Sequence, residues 1–416
     1  MSYTTPPPDS RSRALPPARP QLRPPQALAP FRVVEIGSRV AASFCAKFFG
    51  DFGAQVVKVE PRAGAPERRM GPFVGDDMAG ASGLHLFLNT NKKSVTLEPS
   101  TITGAAMLKA LLREADLLIE GLPPGTLDSW GLGEADLSRD CPNLVVASIT
   151  DYGQTGPYRH RKAADIAHWA MACLMIGSGL SDREPLRVGD DVSEYVAGLN
   201  ACATALGMLF GRDAVGGQRA DLSVLEALIT VQPSSALSYA YNKTHMGRAG
   251  NRFPMNIVHC KDGYVGFYPQ FPHQWEMFAD ALGMPQLKTD PRFAAPLARM
   301  EHADEALAII LPWFLDRTCD EAVRIGQEHH VPFVRVASAK DLVESPQYQA
   351  RGFFTDIGTA GSGKVAALGR PFGMSATPWQ LRSAAPDLGQ HNIEVFCNRL
   401  GLSKLELGIL AEQGVI

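Results

Sequence analysis

Three acidic side chains stand immediately before a long segment that is rich in small residues. Asp190 and Asp191 are followed by Glu194, and residues 193–211 then carry alanine and glycine at the spacing of one helix face. The free N–H groups at the beginning of such a helix can stabilise a carboxylate or a tetrahedral oxyanion. The helix dipole alone also favours an acid in a first turn, by about 0.3–1 kcal/mol. The spacing therefore permits either a reactive or a purely structural carboxylate.

A run of basic residues, RHRK at Arg159 to Lys162, is a second group that could do chemistry. Clustered cations bind phosphate groups through charge-assisted hydrogen bonds, so the run could be a phosphate contact. The same composition also occurs in loops that are simply hydrated, and the sequence favours neither interpretation.

The cysteines and histidines give no sign of a disulfide framework or a metal site. The seven cysteines are odd in number and far apart, with no CxxC spacing, which is typical of reduced thiols. His329 and His330 are adjacent, so their side chains would diverge on a helix or a strand. No metal is expected.

Alternating strand and helix patterns surround these residues. Apolar, β-branched strands are predicted at 31–36, 54–60, 94–98, 116–120 and 144–150, with helices at 40–53 and 103–115. Strand–helix–strand units imply parallel strands with right-handed crossovers, so the fold class is α/β with a Rossmann-like sheet. The turn after the first strand reads GSRVAAS instead of GxGxxG, and NAD or FAD binding is therefore not expected.

Composition is that of an ordinary globular protein. The 416 residues are 45% hydrophobic and 20% charged, with a net charge of −3, which does not suggest bulk binding to nucleic acid or a membrane surface. Residues 1–30 contain many prolines and no apolar core of a signal peptide, so they predict a flexible arm. With no apolar run of about 18 residues either, a cytoplasmic location is expected.

The chain is longer than one average domain, and its character changes in the middle. Turn signals, aromatic strands and amphipathic helices over 242–332 predict a smaller α+β domain. Residues 31–241 and 333–416 are predicted to form the large domain together, because the chain is expected to rejoin the first lobe after about VPFVRV (331–336).

Six segments, in order along nearly the whole chain from Phe31, resemble the family III CoA-transferases, which include formyl-CoA and carnitine CoA-transferases and a racemase branch. They are GAQVVKVEPRAG (53–64), NTNKKSVTLE (89–98), ADLLIEGLPPGTLDSWGLG (115–133), PNLVVASITDYGQTGPY (142–158), SPQYQARGFF (345–354) and APDLGQHN (385–392). The resemblance implies a CoA-binding large domain and an interlocked dimer of two ring-like chains. It also implies that a CoA thioester is a substrate and that no resident cofactor is needed.

In the family that the chain resembles, an aspartate at the beginning of a helix attacks the acyl-CoA carbonyl in a pattern like DxxxG. The matching segment here is EYVAG, Glu194 to Gly198, in an ungapped run from Pro142, so Glu194 stands at the nucleophile position. Its extra methylene moves the carboxylate by roughly 1.5 Å, and a misplacement on the order of 1 Å can cost about 10²-fold in rate. Asp190 and Asp191 would break the register.

The resemblance also implies where CoA is contacted. The family's contact positions fall at Arg39 and Val40 through the backbone, Arg62 in the turn after Pro61, Leu97, Gly121, Leu122 and Lys162. The family often carries an asparagine and an aromatic residue where this chain has Gly121 and Leu122.

The racemase branch is disfavoured by one position. Its members use a His–Asp pair in a segment like GHDIN, and residues 163–167 here read AADIA. Asp165 is kept, but Ala164 replaces the histidine, so α-proton exchange loses half of its acid–base pair. His168, one turn further on, is predicted to point elsewhere on a helix face.

Three functions stay open from the sequence. The leading hypothesis is an enzyme that moves CoA between an acyl-CoA and a free carboxylic acid. The second is a catalytically silent subunit of a heteromer of the succinyl-CoA:benzylsuccinate type, whose Asp-bearing partner does the chemistry. The third, a nucleotide-dependent oxidoreductase, is opposed by the missing glycine fingerprint.

Overall fold

The computed structural model describes residues 25–75, 81–245, 247–248, 253–359 and 363–416. Residues 1–24, which hold most of the predicted arm, lie outside the described part of the chain. Within the described part, no helix is long and apolar enough to cross a membrane.

A six-stranded parallel sheet forms the centre of the larger part of the molecule, with the strand order β3-β2-β1-β4-β5-β6. Its strands are β1 (Arg32–Gly37), β2 (Gln55–Glu60), β3 (Lys92–Thr96), β4 (Leu117–Gly121), β5 (Val145–Thr150) and β6 (Arg219–Ser223). Val34 of β1 is in register with Val57 of β2 and Leu118 of β4. The central strands β4 and β5 are largely apolar because helices cover both faces of the sheet, whereas the edge strands β3 (KKSVT) and β6 (RADLS) are more polar.

The helices of this part are α1 (Val40–Asp51), α2 (Gly83–Leu88), α3 (Ile102–Arg113), α4 (Thr126–Ser129), α5 (Glu134–Asp140), α6 (Asp165–Met171), α7 (Val192–Val215), α8 (Val224–Val231) and α9 (Ser234–Asn242). Short 3₁₀ turns occupy Pro66–Arg69 and Met175–Gly177. On one face, α1 and α7 pack their small residues together over β1, β4 and β5. On the other face, α3 and the C-terminal segment bury the leucine and valine side chains of the same strands.

A second core is built from residues 253–335. Three antiparallel strands, β7 (Asn256–Cys260), β8 (Gly263–Phe267) and β9 (Phe333–Arg335), form a separate sheet. Around it lie α10 (Pro272–Ala281), α11 (Gln286–Thr289), α12 (Pro291–Ala294), α13 (Pro296–Glu301), α14 (Ala303–Leu315) and α15 (Cys319–Glu328). Buried aromatic side chains, among them Phe267, Phe278 and Phe314, fill its interior.

The boundary predicted between residues 332 and 333 needs a correction. Strand β9 pairs with β8, and the Phe333 ring packs at 5.6 Å from that of Phe314. This strand therefore belongs to the small sheet, because its apolar residues complete the aromatic core. The rest of the division into domains stays a prediction.

The C-terminal segment returns to the large sheet after α16 (Ala339–Glu344), α17 (Pro346–Ala350) and the hairpin of β10 (Phe354–Thr359) and β11 (Gly363–Leu368). A π-helix over Ile393–Arg399 and α18 (Lys404–Glu412) end the chain. Asn392 Oδ1 accepts a hydrogen bond from the Thr96 N–H at 2.9 Å, so this segment is fastened beside edge strand β3. The α/β fold class is confirmed, and the predicted strands lie within about two residues of the observed ones.

Candidate active site

Most of the predicted contact residues lie along one edge of the parallel sheet. Arg39 and Val40 follow β1, Arg62 follows β2, Leu97 follows β3, and Gly121 with Leu122 closes β4. The carboxyl ends of parallel strands meet at a single edge, which is where ligands bind in open α/β sheets. The sheet therefore brings these six residues to one edge, although they are far apart in sequence.

Their side chains do not all face a ligand. Val40 and Leu97 are buried, and Leu97 packs into the core with 1% exposure. Arg62 is exposed and lies close to Gly414 near the C-terminus. Lys162 is exposed in the loop between β5 and α6, next to Arg161, whose guanidinium lies 3.8 Å from the centre of the Tyr158 ring.

Glu194 lies in the first turn of α7, but its carboxylate reaches across to α1. Its Oε2 accepts from the Ala41 N–H at 3.0 Å, and its Oε1 accepts from Arg39 Nη1 at 2.5 Å. The side chain is 14% exposed. The sequence had suggested that the N–H groups of α7 itself would stabilise an acid here, whereas the free N–H that binds it belongs to α1.

A glycine explains this crossing. A Cβ on Gly198, one turn after Glu194, would lie 2.8 Å from the carbonyl oxygen of Ala41 and 3.2 Å from the Phe44 side chain. Since the two helices approach this closely, the first turn of α7 lies beside the first turn of α1. The small residues recognised in the sequence thus position the carboxylate.

Arg39 is shared by two acids. Its Nη2 contacts Asp151 Oδ2 at 2.6 Å while its Nη1 holds Glu194, and the arginine side chain is 18% exposed. Burial by itself lowers the pKa of Arg39, but Glu194 and Asp151 outweigh it and raise that pKa above its usual value. Burial likewise raises the pKa of Asp151, whereas the hydrogen bond to His168 and the charge of Arg39 bring that pKa below its usual value.

The prediction that His168 points elsewhere is wrong. Its side chain is 1% exposed, its Nε2 lies 3.1 Å from Asp151 Oδ1, and its Nδ1 lies 3.1 Å from Ser193 Oγ. The reason is tertiary: the Ser193 N–H donates to Asp165 Oδ1 at 2.9 Å, which brings the beginning of α6 against that of α7. The one sequence signal was that His168 stands three residues after Asp165, on the same helix face.

An apolar wall stands beside Glu194. Its neighbour Tyr195 packs edge-to-face on Phe44, with ring centroids 4.9 Å apart, and both line a cavity of about 850 Å³. Phe87, Leu199 and residues of β11 complete much of the remaining lining. Within the described ranges, no group of three or more His, Cys, Asp or Glu side chains could hold a metal ion.

Comparison with known proteins identifies the family of this chain. The family model for CoA-transferase family III matches residues 28–392. The chain belongs to this family. It is therefore an enzyme of the CoA-transferase class, as the resemblance of the six segments predicted.

Individual relatives cover almost the full chain. Succinyl-CoA–D-citramalate CoA-transferase of Chloroflexus aurantiacus is 34% identical over 401 residues, which is 95% of this chain and 99% of that protein. The alpha subunit of succinyl-CoA–L-malate CoA-transferase from the same organism is 30% identical over 398 residues, 94% of this chain and 92% of that subunit. A crystal structure of a CAIB/BAIF family protein from Brucella suis superposes with a TM-score of 0.81 at 27% identity, covering 90% of this chain and 99% of that one.

Proposed function

We propose that this family III CoA-transferase uses Glu194 as its nucleophile to move CoA from an acyl-CoA to a free carboxylic acid. One observation carries the proposal: the Glu194 carboxylate is largely buried at the carboxyl edge of the sheet, between Arg39 and the Ala41 N–H. This residue also stands where the family pattern has its nucleophilic aspartate. A glutamate that faced open solvent would have argued against the role.

The reaction needs two kinds of covalent intermediate. A Glu194 oxygen attacks the thioester carbonyl carbon and the C–S bond of the acyl-CoA breaks. CoA leaves as a thiolate, and the acyl group stays on Glu194 as a mixed anhydride. The thiolate then attacks the Glu194 carbonyl carbon, the C–O bond to the first acyl group breaks, and the donor acid leaves as a carboxylate. CoA is now a thioester of Glu194. The acceptor carboxylate runs both steps in reverse and frees Glu194.

The surroundings suit these steps. Each attack places negative charge on an oxygen beside Glu194, and an N–H at a helix N-terminus together with a guanidinium stabilises such charge. We propose that the apolar wall at Phe44 and Tyr195, the residue after Glu194, protects the anhydride and the thioester from hydrolysis.

We further propose that CoA lies along the carboxyl edge of the sheet. The exposed cations Arg62 and Lys162 are available for its phosphates, while the backbone at Arg39 and Val40 and the residues Leu97, Gly121 and Leu122 flank the remainder. CoA enters as a substrate, and the scheme requires no resident cofactor or metal.

Substrates are proposed from the relatives' names. Two of them act on succinyl-CoA, with D-citramalate or L-malate as the other acid. We therefore propose succinyl-CoA as donor and a hydroxy dicarboxylic acid as acceptor for this chain. A panel of dicarboxylic and hydroxy acids, assayed for new acyl-CoA by chromatography, tests this choice.

The assembly is proposed as an interlocked dimer of two ring-like chains in the cytoplasm. One relative is an alpha subunit, so a heteromer with a silent role for this chain is the second candidate. Expression alone and together with a candidate partner separates the two. An active homodimer that needs Glu194 excludes the silent role, and a chain that gains activity only with an Asp-bearing partner supports it.

The decisive experiment traps the intermediate. The protein is mixed with succinyl-CoA and hydroxylamine and then mapped by mass spectrometry, and a hydroxamate on Glu194 is expected. Glu194→Gln abolishes both the hydroxamate and turnover. The matched control is Glu226→Gln, because Glu226 is an exposed acid in the first turn of α8, and this variant keeps both. A hydroxamate on another residue, or full activity of Glu194→Gln, contradicts the proposal.

A further inference from the structure

Five side chains form a linked polar network at the beginning of α7. Glu194 contacts Arg39, Arg39 contacts Asp151, Asp151 contacts His168, and His168 contacts Ser193, the residue before Glu194. The network joins the ends of β1 and β5 to α6 and to the first turn of α7. Its two carboxylates share a single guanidinium, which itself is 18% exposed.

The net charge of this network changes during the proposed reaction. Free Glu194 is an anion, but as an anhydride or a thioester its carboxyl group is neutral. Arg39 then loses one of its two carboxylate partners while its guanidinium stays largely buried. A buried cation without a counter-charge is costly. A second carboxylate that still pairs with Arg39 therefore lowers the free energy of the covalent state.

Asp151 is placed to do this. Its Oδ2 lies 2.6 Å from Arg39 Nη2, the other end of the fork that holds Glu194.

Asp151 is in turn held by the histidine. A carboxylate can only accept hydrogen bonds, so the His168 Nε2 that faces Asp151 Oδ1 at 3.1 Å carries the proton. The Ser193 hydroxyl, which contacts Nδ1, holds the His168 imidazole from its other side. Since one Asp151 oxygen faces His168 and the other faces Arg39, the carboxylate has little freedom to turn.

We propose that Asp151, fixed by His168, is a positioning residue of the transfer reaction, one that shares Arg39 with Glu194 and keeps it paired when Glu194 becomes a neutral acyl group. The inference rests on the proposed role of Glu194. The Asp151 carboxylate contacts Arg39 and His168, and in this proposal it acts on Glu194 through Arg39.

Asp151→Asn tests this role, because it keeps the size of the side chain and removes its charge. The readout is the fraction of protein that carries CoA as a thioester at equilibrium with succinyl-CoA and succinate, measured by intact mass. We expect the ratio of thioester to free enzyme to fall on the order of tenfold, the effect of one hydrogen bond to a charged group. Turnover falls with it, while the thioester still maps to Glu194.

The matched control is Asp116→Asn. Asp116 also pairs with an arginine, Arg212 at 2.7 Å, but it precedes β4 at the opposite edge of the sheet. We expect Asp116→Asn to leave the ratio of thioester to free enzyme unchanged. If Asp151→Asn does not fold, His168→Leu removes the donor to Asp151 and leaves both carboxylates, and a smaller fall in the same direction is expected.

The outcomes separate this inference from the proposed function. A wild-type protein that forms no adduct at Glu194 refutes the nucleophile and the inference together. An adduct on Glu194 whose ratio to free enzyme is unchanged in folded Asp151→Asn and His168→Leu overturns the inference alone.

Discussion

The main-chain N–H of Ala41 donates to Glu194 Oε2 at 3.0 Å, so helix α1 presents its first turn to an acid carried by helix α7. The two residues are far apart in the chain and meet because α1 and α7 pack closely at Gly198. This main-chain contact holds the carboxylate in addition to Arg39, which also binds it. The position of Glu194 therefore depends on the separation of two helices.

Shortening Glu194 tests that dependence. In Glu194→Asp the carboxylate withdraws by one methylene and cannot keep both the Ala41 N–H and Arg39 without movement of α7. Although aspartate is the family's usual nucleophile, we expect kcat to fall about 10²-fold, the typical cost of a misplacement near 1 Å. Rapid-quench kinetics measure this loss. Equal or higher activity of the aspartate variant would show that the pocket is not fitted to glutamate.

The close approach of the helices can be altered at Gly198 without changing Glu194, Arg39 or Asp151. Gly198→Ala adds a Cβ that would lie 2.8 Å from the Ala41 carbonyl oxygen, so α7 must move from α1. We expect a loss of about 1–3 kcal/mol in unfolding free energy, as for other overpacked cores, together with a lower kcat. Urea denaturation and steady-state kinetics give the two values.

Gly207→Ala is the control on the same helix. Nothing lies within 4 Å of its added Cβ, so the change is expected to stabilise the helix by about 0.5–1 kcal/mol and to leave kcat unchanged. If both variants changed unfolding free energy and kcat in the same way, helix propensity, and not the distance between α1 and α7, would explain the effect of Gly198→Ala.

Gly121 makes room for Arg39. A Cβ on this glycine would lie 3.0 Å from the Arg39 Cβ, so Gly121→Asn, which restores the residue the family often carries, pushes the arginine aside. We expect Arg39 to leave Glu194 or Asp151 and turnover to fall about tenfold or more, the effect of losing one charge-assisted hydrogen bond. A crystal structure of the variant and its kcat check this. Unchanged kcat with Arg39 displaced would remove Arg39 from the mechanism.

Lys162 offers a test of the CoA site. If its ammonium binds a CoA phosphate, Lys162→Ala raises the KM for succinyl-CoA about tenfold and leaves kcat intact. Succinyl-pantetheine lacks the nucleotide phosphates, so its KM serves as the internal control and does not change. A KM that rises equally for both substrates, or for neither, would make the basic run a hydrated loop.

Strands β1, β2, β4 and β5 could be predicted from the sequence because each contains a local apolar run whose pattern does not depend on distant residues. The register also placed Glu194 at the head of a small-residue helix. The sequence could not show that its carboxylate binds α1, since this depends on how closely Gly198 lets two distant segments approach.

His168 and Phe333 were misplaced for a similar reason. A histidine within a short helix reads as surface until Asp165 and Ser193 are known to join that helix to α7. Phe333 lies just after the point where the composition changes, but its strand β9 pairs antiparallel with residues 265–267 of β8. Both cases turn on tertiary pairing, which a single sequence does not carry.

A buried ion cluster beneath α1 predicts how stability depends on pH. Glu35 Oε1 lies 2.5 Å from Lys58 Nζ and Oε2 lies 2.7 Å from Lys92 Nζ, and all three side chains are at most 1% exposed. Burial by itself raises the pKa of Glu35, but the two lysines outweigh it and lower that pKa to about 2. Burial lowers the pKa of Lys92 to about 8 despite Glu35, and the charge of Lys58 contributes to that fall.

Because the pKa of Glu35 is lower in the folded protein than its usual 4.5, its contribution is complete above pH 4.5 and is lost as the pH falls towards 2. Glu35→Gln leaves two buried lysines without this carboxylate and should reduce the unfolding free energy at pH 7 by about 3–5 kcal/mol. The difference between wild type and variant, measured by urea denaturation, is expected to shrink from pH 4.5 to pH 3. Glu226→Gln, an exposed change, serves as the control with little effect at either pH. A difference that stays constant with pH would mean that lost packing, and not the charge of Glu35, destabilises the variant.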